Sequence, residues 1–277
     1  MDGTLSVVNG ATCNRKITSG CVQLTTTPMG KMPEQIEIDE TTNTIYVVNQ
    51  GDGTVSVSNG AVCNAGNTSG CNQSWPTVTV GNSPQGLGLH RANHTLYVAN
   101  TNDNTVSLVN VLHCNGADSS GCGQTPPTIS VGAAPRAVGI VNATNTVFVG
   151  NRNDLTVSVI DGATCNATHT SGCGQVPPSV VVGAFPSTGG ALDNILGRSI
   201  VVDSREHIIY IPTIGDSDVA TLDADECRAG HVDDCHVHIV HRRMGGYSFF
   251  AVLDESSGTV YVSNDVDNTL SLFPSED

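Results

Sequence analysis

Three arginines, Arg136, Arg152 and Arg198, have the chemistry to bind an anion. A guanidinium presents its N–H donors as a planar fork, which matches the two oxygens of a carboxylate. The sequence therefore predicts a site for a carboxylate or a similar anion, provided that the fold brings the three side chains together.

Other polar candidates occupy equivalent places in a repeated pattern. The residue after each repeated proline changes from Glu34 to Gln85, Arg136 and Ser187, as expected of a variable binding face on a constant scaffold, although drift at solvated positions is the alternative. His90 stands where other repeats have Asp39, Val141, Asp203 and Asp254, so it is a candidate ligand or base. The loop 187–198 is about eleven residues longer than its counterparts. The predicted ligand-face candidates are Glu34, Gln85, His90, Arg136, Arg152, Asp193, Arg198 and Asp203.

Two histidines, His236 and His238, are candidates for a metal site. They are two residues apart, so on an extended strand they share a face and can hold one ion at two points. Exposed histidines of an outer strand with no function are the alternative. We predict that no cofactor is required and that a divalent metal is an optional ligand.

A series of aspartates also invites a metal interpretation. Aspartate in a tight turn, however, usually accepts hydrogen bonds from its own backbone amides. We therefore predict a structural role for the turn residues Asp52, Asp103, Asp154, Asp216 and Asp267.

The chain lacks the short motifs of the common enzyme classes. It has no Gly-x-Ser-x-Gly elbow, no His-Glu-x-x-His and no Gly-x-x-x-x-Gly-Lys loop. None of these motifs therefore indicates that the protein is an enzyme.

The ten cysteines form five pairs with seven intervening residues each, one pair per repeat. Zinc is the rival interpretation, but each loop offers two thiols where a structural zinc site needs four ligands. Local disulfides and an oxidising compartment are therefore predicted. The predicted pairs are Cys13 with Cys21, Cys63 with Cys71, Cys114 with Cys122, Cys165 with Cys173, and Cys227 with Cys235.

The elements that position these residues are short strands in a repeat of about fifty residues. One repeat, 81–131, contains four strand-like runs separated by turn-rich segments, which is the pattern of a propeller blade. The sequence predicts an all-β fold, a single β-propeller domain over 1–277 with about five to six four-stranded blades and a disulfide in each loop between the third and fourth strands. Both ends fall within a blade, so three arrangements are open: five blades that close with one strand to spare, six positions with one blade incomplete, or a piece of a larger propeller. An unpaired edge in the last two arrangements would favour self-association.

Tyr-Val-x-Asn strands followed by Asp-Asn-Thr-Val-Ser turns recur along the chain. Examples are Tyr97-Val-Ala-Asn100 and Tyr261-Val-Ser-Asn264. This pattern resembles the YVTN family of β-propeller repeats, including the YncE-like extracellular or periplasmic proteins. The resemblance implies a propeller fold, and it implies little about function because such propellers include binders, surface-layer components and enzymes.

Charge and hydropathy exclude two classes of partner, nucleic acids and the membrane interior. The net charge of −15, with only two lysines, argues against nucleic-acid binding. No apolar run approaches the roughly 20 residues of a membrane-spanning helix, so no membrane insertion is expected. We expect an extracellular, cell-surface or periplasmic location, with any export signal outside this sequence.

The predicted function is a secreted or cell-surface binding or scaffold module for a protein or glycan. One alternative is a metal-assisted hydrolase or lyase acting on an ester or lactone, as in the related lactonase and streptogramin-lyase propellers. The other is a self-assembling structural surface protein.

Overall fold

The computed structural model describes residues 2–14, 16–182, 195–214, 218–240 and 248–275. Antiparallel strands dominate this part of the chain. The helices within it are three 3-10 turns, Ser69–Cys71, Asn142–Thr144 and Val232–Asp234. The prediction of an all-β fold is confirmed.

Five antiparallel sheets follow one another along the chain as propeller blades. Blade 1 comprises β3 (Pro33–Asp39), β4 (Thr44–Asn49), β5 (Thr54–Asn59) and β6 (Thr77–Thr79). Blade 2 comprises β7 (Pro84–His90), β8 (Thr95–Asn100), β9 (Thr105–Asn110) and β10 (Thr128–Ser130). Blade 3 comprises β11 (Pro135–Val141), β12 (Thr146–Asn151), β13 (Thr156–Asp161) and β14 (Ser179–Val181).

The last two blades depart from this plan. Blade 4 has a divided inner strand, because β15 (Ile195–Leu196) and β16 (Val201–Asp203) both pair with β17 (Ile208–Ile214). Its outer strands are β18 (Asp218–Asp223) and β19 (Val237–Val240). Blade 5 has three strands, β20 (Ser248–Asp254), β21 (Thr259–Asn264) and β22 (Thr269–Pro274). A two-stranded N-terminal sheet pairs β1 (Thr4–Val8) with β2 (Gln23–Pro28).

Side-chain size and burial explain how the blades stack. The inner strands of consecutive blades contact one another, from β3 to β7 and from β7 to β11. One face of each blade packs against the opposite face of the next: Leu108 of blade 2 shares a core cluster with Val138 of blade 3. The apolar residues are therefore buried between blades, and the molecule is a five-bladed β-propeller.

The repeated Asn, Thr and Ser residues form a hydrogen-bond network at one end of blades 1, 2, 3 and 5. In blade 2, the Asn100 amide nitrogen donates to Thr105 Oγ1 (3.1 Å) and Ser107 Oγ (2.9 Å). Its amide oxygen accepts from the backbone N–H of Gly81 (3.0 Å). Glycine is required there because a Cβ at Gly81 would lie 2.5 Å from Asn100 Cγ.

The turn aspartates connect different loops of a blade. Asp103 Oδ2 accepts from the backbone N–H of Asn82 (2.6 Å), and Asp52 Oδ2 accepts from that of Lys31 (2.7 Å). Asp52 and Asp103 thus have the predicted structural role, but the partner amide lies in the loop that leads into the blade's inner strand and not in the same turn. Asp216 lies outside the described residues. These carboxylates therefore hold the two loops of one propeller face together.

All five predicted disulfides are present, each in the loop after a third strand, so the zinc alternative is not needed. They join Cys13 to Cys21, Cys63 to Cys71, Cys114 to Cys122, Cys165 to Cys173, and Cys227 to Cys235. Such disulfides are typical of an oxidising, extracellular-type environment.

The disulfide loops are buried to different degrees. Cys71 and Cys122, which end the loops of blades 1 and 2, are buried. By contrast, Cys21 is exposed, and Cys173 and Cys235 are half-buried. The five pairs have equal spacing in the sequence, but the burial of each loop differs with the part of the fold that it contacts.

Several disulfide loops contact the preceding blade. The Tyr97 hydroxyl of blade 2 donates to the Cys165 carbonyl of blade 3 (2.9 Å). These loops therefore contribute to the stacking of blades. None of the helices in the described residues is long and apolar enough to cross a membrane.

Candidate anion-binding site

Three of the predicted ligand-face residues occupy equivalent positions beside the propeller axis. Glu34, Gln85 and Arg136 are the second residues of β3, β7 and β11, directly after the proline that begins each inner strand. Proline is compatible with the first residue of a strand because it has no N–H to pair. The repeat therefore places a different polar side chain at the same height in each of the first three blades.

Two further arginines come from adjacent loops. Arg152 directly follows β12, and its backbone N–H donates to the Ala134 carbonyl (3.0 Å). Arg198 lies two residues after β15 in blade 4. Both loops belong to the propeller face on which the inner strands begin.

An ion pair connects two blades that are not neighbours. Arg198 Nη1 of blade 4 lies 2.7 Å from Glu34 Oε2 of blade 1, and the two side chains are 25% and 16% exposed. Because blades 1 and 4 are separated by other blades, this contact spans the axial region. The contact brings together two of the predicted ligand-face residues, Arg198 and Glu34.

The electrostatics of Arg136 show that the arginines are close together. Burial, together with the positive charges of Arg152 and Arg198, lowers the pKa of Arg136 to about 10, although the negative charge of Glu34 opposes this shift. The Nε atoms of Arg136 and Arg152 are buried and have no hydrogen-bond partner among the described residues. Arg136 therefore lies within electrostatic range of Arg152, Arg198 and Glu34, and Arg198 makes the direct contact with the Glu34 carboxylate. Together these four residues, here called the axial arginine cluster, form a positive site within a chain of net charge −15.

The remaining candidates are distributed differently. Gln85 is 5% exposed, and its Oε1 is buried without a partner in the described part of the chain. Asp193 lies outside the described residues, as does most of the long loop 187–198. His90 and Asp203 lie at the other ends of their inner strands. For His90 that is about 20 Å from the start of β7, so the structure does not bring them to the axial arginine cluster.

The carboxylate of Asp203 is bonded to the turn that follows it in the chain. Its side chain is fully buried, and Oδ1 accepts from the backbone N–H groups of Arg205 (2.9 Å) and Glu206 (3.3 Å). Burial raises the pKa of Asp203, but these hydrogen bonds outweigh it and hold the pKa below its usual value. The carboxylate therefore stabilises the turn between β16 and β17 in its ionised form.

His90 is fully buried between blades 2 and 3, and neither ring nitrogen has a hydrogen-bond partner in the residues described. Burial lowers its pKa below 6.5, although the Asn145 side chain partly opposes the shift. The neutral imidazole is therefore the form that the fold accommodates.

This burial predicts a pH-dependent stability. Below pH 6.5 His90 is protonated in the unfolded chain but stays neutral in the folded chain, where its pKa is lower. The free energy of unfolding therefore falls as the pH decreases. Between pH 7.5 and 5.5 the loss from this group is at most about 1.4 kcal/mol. Urea unfolding at both pH values should show that His90→Asn removes this part of the loss. His94→Asn, a change at an exposed turn, serves as the control and should retain it.

The two metal candidates lie at the outer edge of blade 4. His236 precedes β19 and its Nδ1 lies 3.4 Å from Glu226 Oε2, with the His236 side chain 71% exposed; His238 lies within β19. No group of three or more His, Cys, Asp or Glu side chains suited to a metal occurs in the described part of the chain. Metal binding by this pair stays a prediction.

Sequence analysis missed a second polar group near the axis. Glu37 and Arg91 line a cavity of about 180 Å³ together with Gly88 and Gly139. Arg91 Nη2 lies 3.5 Å from Glu37 Oε1. Burial raises the pKa of Glu37 to about 6, although Arg91 opposes the shift. The signal was available, because Glu37 occupies the inner-strand position that is glycine in blades 2 and 3.

Fold and site together define a β-propeller with a basic cluster on its axis. No protein-family model and no curated protein matches the sequence.

Several solved structures share the fold. A Lactobacillus plantarum protein is 17% identical with a TM-score of 0.65, and the match covers 92% of this chain and 70% of that one. A chain of the mitotic checkpoint complex is 13% identical with a TM-score of 0.66 over 100% and 69% of the chains. A candidate 6-phosphogluconolactonase from Bacteroides fragilis is 12% identical with a TM-score of 0.65 over 92% and 69%. Identities this low show that the fold is shared, and they give no information about function.

Proposed function

We propose that this propeller is an extracellular binding module that holds a carboxylate group of a protein or glycan ligand in the axial arginine cluster. The observation that carries the proposal is that Arg136 lies within electrostatic range of two further arginines, while Glu34 pairs directly with one of them, Arg198. Glu34 balances one positive charge, so a ligand carboxylate would balance a second and reduce the repulsion that lowers the pKa of Arg136.

The charge of the whole chain supports a ligand with few negative charges. At −15, the protein repels extended polyanions, whereas a single carboxylate that reaches the cluster meets a local excess of positive charge. Burial strengthens this attraction because the partly desolvated arginines are poorly screened by salt. Membership of the YVTN-type repeat family and a secreted, cell-surface or periplasmic location are parts of the same proposal, supported by the repeat motif and the disulfides.

Calorimetric titration with defined probes tests the proposal. The probes are the monosaccharide galacturonate, compared with neutral galactose, and a short peptide with a free C-terminal carboxylate, compared with its C-terminal amide. We expect at least one charged probe to bind and Arg136→Ala to weaken its binding by about tenfold or more. Lys31→Ala is the matched control, because Lys31 lies on the same face, is 82% exposed and pairs with Asp52 instead.

Two results would contradict this function. One is equal binding of charged and neutral probes. The other is unchanged binding of a charged probe by the double variant Arg136→Ala and Arg152→Ala, since the axial arginines would then have no part in recognition.

Hydrolysis of an ester or lactone is a second candidate, favoured by one observation. Glu37 has a pKa of about 6 at an axial cavity, which suits a group that donates and accepts protons near neutral pH. Turnover of a lactone that Glu37→Gln abolishes and Arg136→Ala leaves intact would replace the binding function with this one.

A further inference from the structure

Two third strands of the molecule have an open edge. In blades 1 to 3 the third strand pairs on both sides, as β9 pairs with β8 and β10. By contrast, β22 pairs with β21 and has no outer partner among the described residues, while β1 pairs with β2 and has no inner partner there. Open edges of this kind accept an added strand through their backbone N–H and C=O groups.

The face of blade 5 that points away from blade 4 is apolar and uncovered. Leu270 and Leu272 of β22 are 54% and 57% exposed. Their counterparts in blade 2, Val106 and Leu108, are fully buried against blade 3. On β20 of the same face, Val252 is 61% exposed. Blade 5 therefore has the packing surface of an internal blade.

A tyrosine on this face repeats a contact that joins the other blades. The hydroxyls of Tyr46 and Tyr97 donate to the carbonyls of Cys114 and Cys165 in the loop of the following blade. Tyr261 occupies the same position in β21, and its hydroxyl has no partner in the described part of the chain. It is placed to bond a further blade.

Blade 1 is open on its opposite face, beside β1. Ile36 and Ile38 of β3 are 41% and 50% exposed, whereas their counterparts Leu87 and Leu89 in β7 are 1% and 4% exposed. The covering elements in blades 2 and 3 are the inner two strands of the preceding blade. The N-terminal sheet has only outer strands, so it leaves this inner area uncovered.

We infer that the two open ends bind a strand-forming polypeptide segment of this same repeat. The segment adds a fourth strand beside β22 and an inner hairpin beside β1, thereby covering the apolar face of blade 5 and the two isoleucines of blade 1. This inference does not depend on the axial arginine cluster.

The required order of strands identifies the occupant. A fourth strand followed by a first and a second strand occurs in this chain as β6, β7 and β8, within Thr77–Asn100. A folded second copy fits less well, because its strands of this order are already paired within blades and its free sheet lacks the inner strands.

The probe is a labelled synthetic peptide of residues 77–100, titrated into the full chain and followed by fluorescence anisotropy. Saturable binding is expected, together with a higher melting temperature of the protein. The double variant Leu270→Asp and Leu272→Asp should weaken binding by about tenfold or more. Because both side chains are exposed, these changes should leave the melting temperature of the protein alone unaltered.

Val176→Asp is the control, because Val176 is 72% exposed and lies outside blade 5. It should leave peptide binding unchanged. A peptide that binds no better than its scrambled version would overturn the inference, as would binding that the double variant leaves intact. Sedimentation of the protein alone gives a further test: self-assembly that the double variant blocks would identify a second copy as the occupant and overturn the strand-forming segment.

Discussion

Replacing Cys114 and Cys122 together with alanine is expected to lower the free energy of unfolding by about 4 kcal/mol. The disulfide closes a loop with a sequence separation of 8. In the chain-entropy model, its removal raises the conformational entropy of the unfolded chain and so stabilises the unfolded state by about 2.5 kcal/mol. The folded loop also carries bonds to blade 1, from the Tyr46 hydroxyl to the Cys114 carbonyl (3.1 Å) and from the Gly116 N–H to Thr44 Oγ1 (2.7 Å). Loosening the loop weakens these bonds, which contribute about 1 kcal/mol each.

Replacing Cys13 and Cys21 together with alanine is the matched control. Their disulfide has the same sequence separation of 8, and the hydrogen bonds found for the described residues of its loop stay within the segment 9–22 between β1 and β2. The expected loss is therefore the chain-entropy part alone, about 2.5 kcal/mol. Urea unfolding followed by circular dichroism measures both. Equal losses would mean that the contacts between the Cys114 loop and blade 1 contribute nothing to stability.

The second large effect is expected for Asn100→Ala, with a loss of about 3 kcal/mol. The side chain is fully buried and makes three hydrogen bonds, two as donor and one as acceptor. Alanine would leave the hydroxyls of Thr105 and Ser107 and the N–H of Gly81 without this partner in a dry site. An unsatisfied buried polar group costs more than the net worth of the bond that it lost.

Thermal and urea unfolding of Asn100→Ala test this expectation against Asn102→Ala, an exposed asparagine two residues away. The control should change stability by less than about 0.5 kcal/mol. A triple variant that adds Thr105→Val and Ser107→Ala removes the stranded hydroxyls as well, so it should recover part of the loss. A loss of under about 1 kcal/mol in the single variant would show that water satisfies these groups and that the network does not hold the two loops together.

Local patterns were sufficient for much of the fold. Strands such as Thr95–Asn100 were predictable because turns containing Asn, Asp and Gly delimit them, and the cysteine pairs were predictable because bridges within a loop need no tertiary information. The role of the turn aspartates was not, because Asp103 bonds an amide 21 residues earlier in the chain. Sequence spacing alone does not show which loops meet at one end of a sheet.

The residues of the candidate site were also predictable only in part from the sequence. The repeated prolines were enough to select Glu34, Gln85 and Arg136 as equivalent positions, and the forked guanidinium was enough to suggest an anion. Separating these residues from His90 required the structure, because the two ends of one inner strand lie on opposite faces of the propeller. The repeat does distinguish Glu37, as an acid where blades 2 and 3 have glycine, but its raised pKa follows from burial, which a repeat pattern does not contain.

By itself, the sequence determined that the chain is a disulfide-containing β-propeller, since strand period, turn residues and cysteine spacing are local properties that repeat about every fifty residues. Only the tertiary structure decided that Arg198 reaches Glu34 across the axis and that blade 5 keeps an uncovered apolar face. Both facts depend on how blades stack around an axis, where residues 164 positions apart come within 2.7 Å. Contacts of that range follow from the arrangement of the whole ring, which no single repeat encodes.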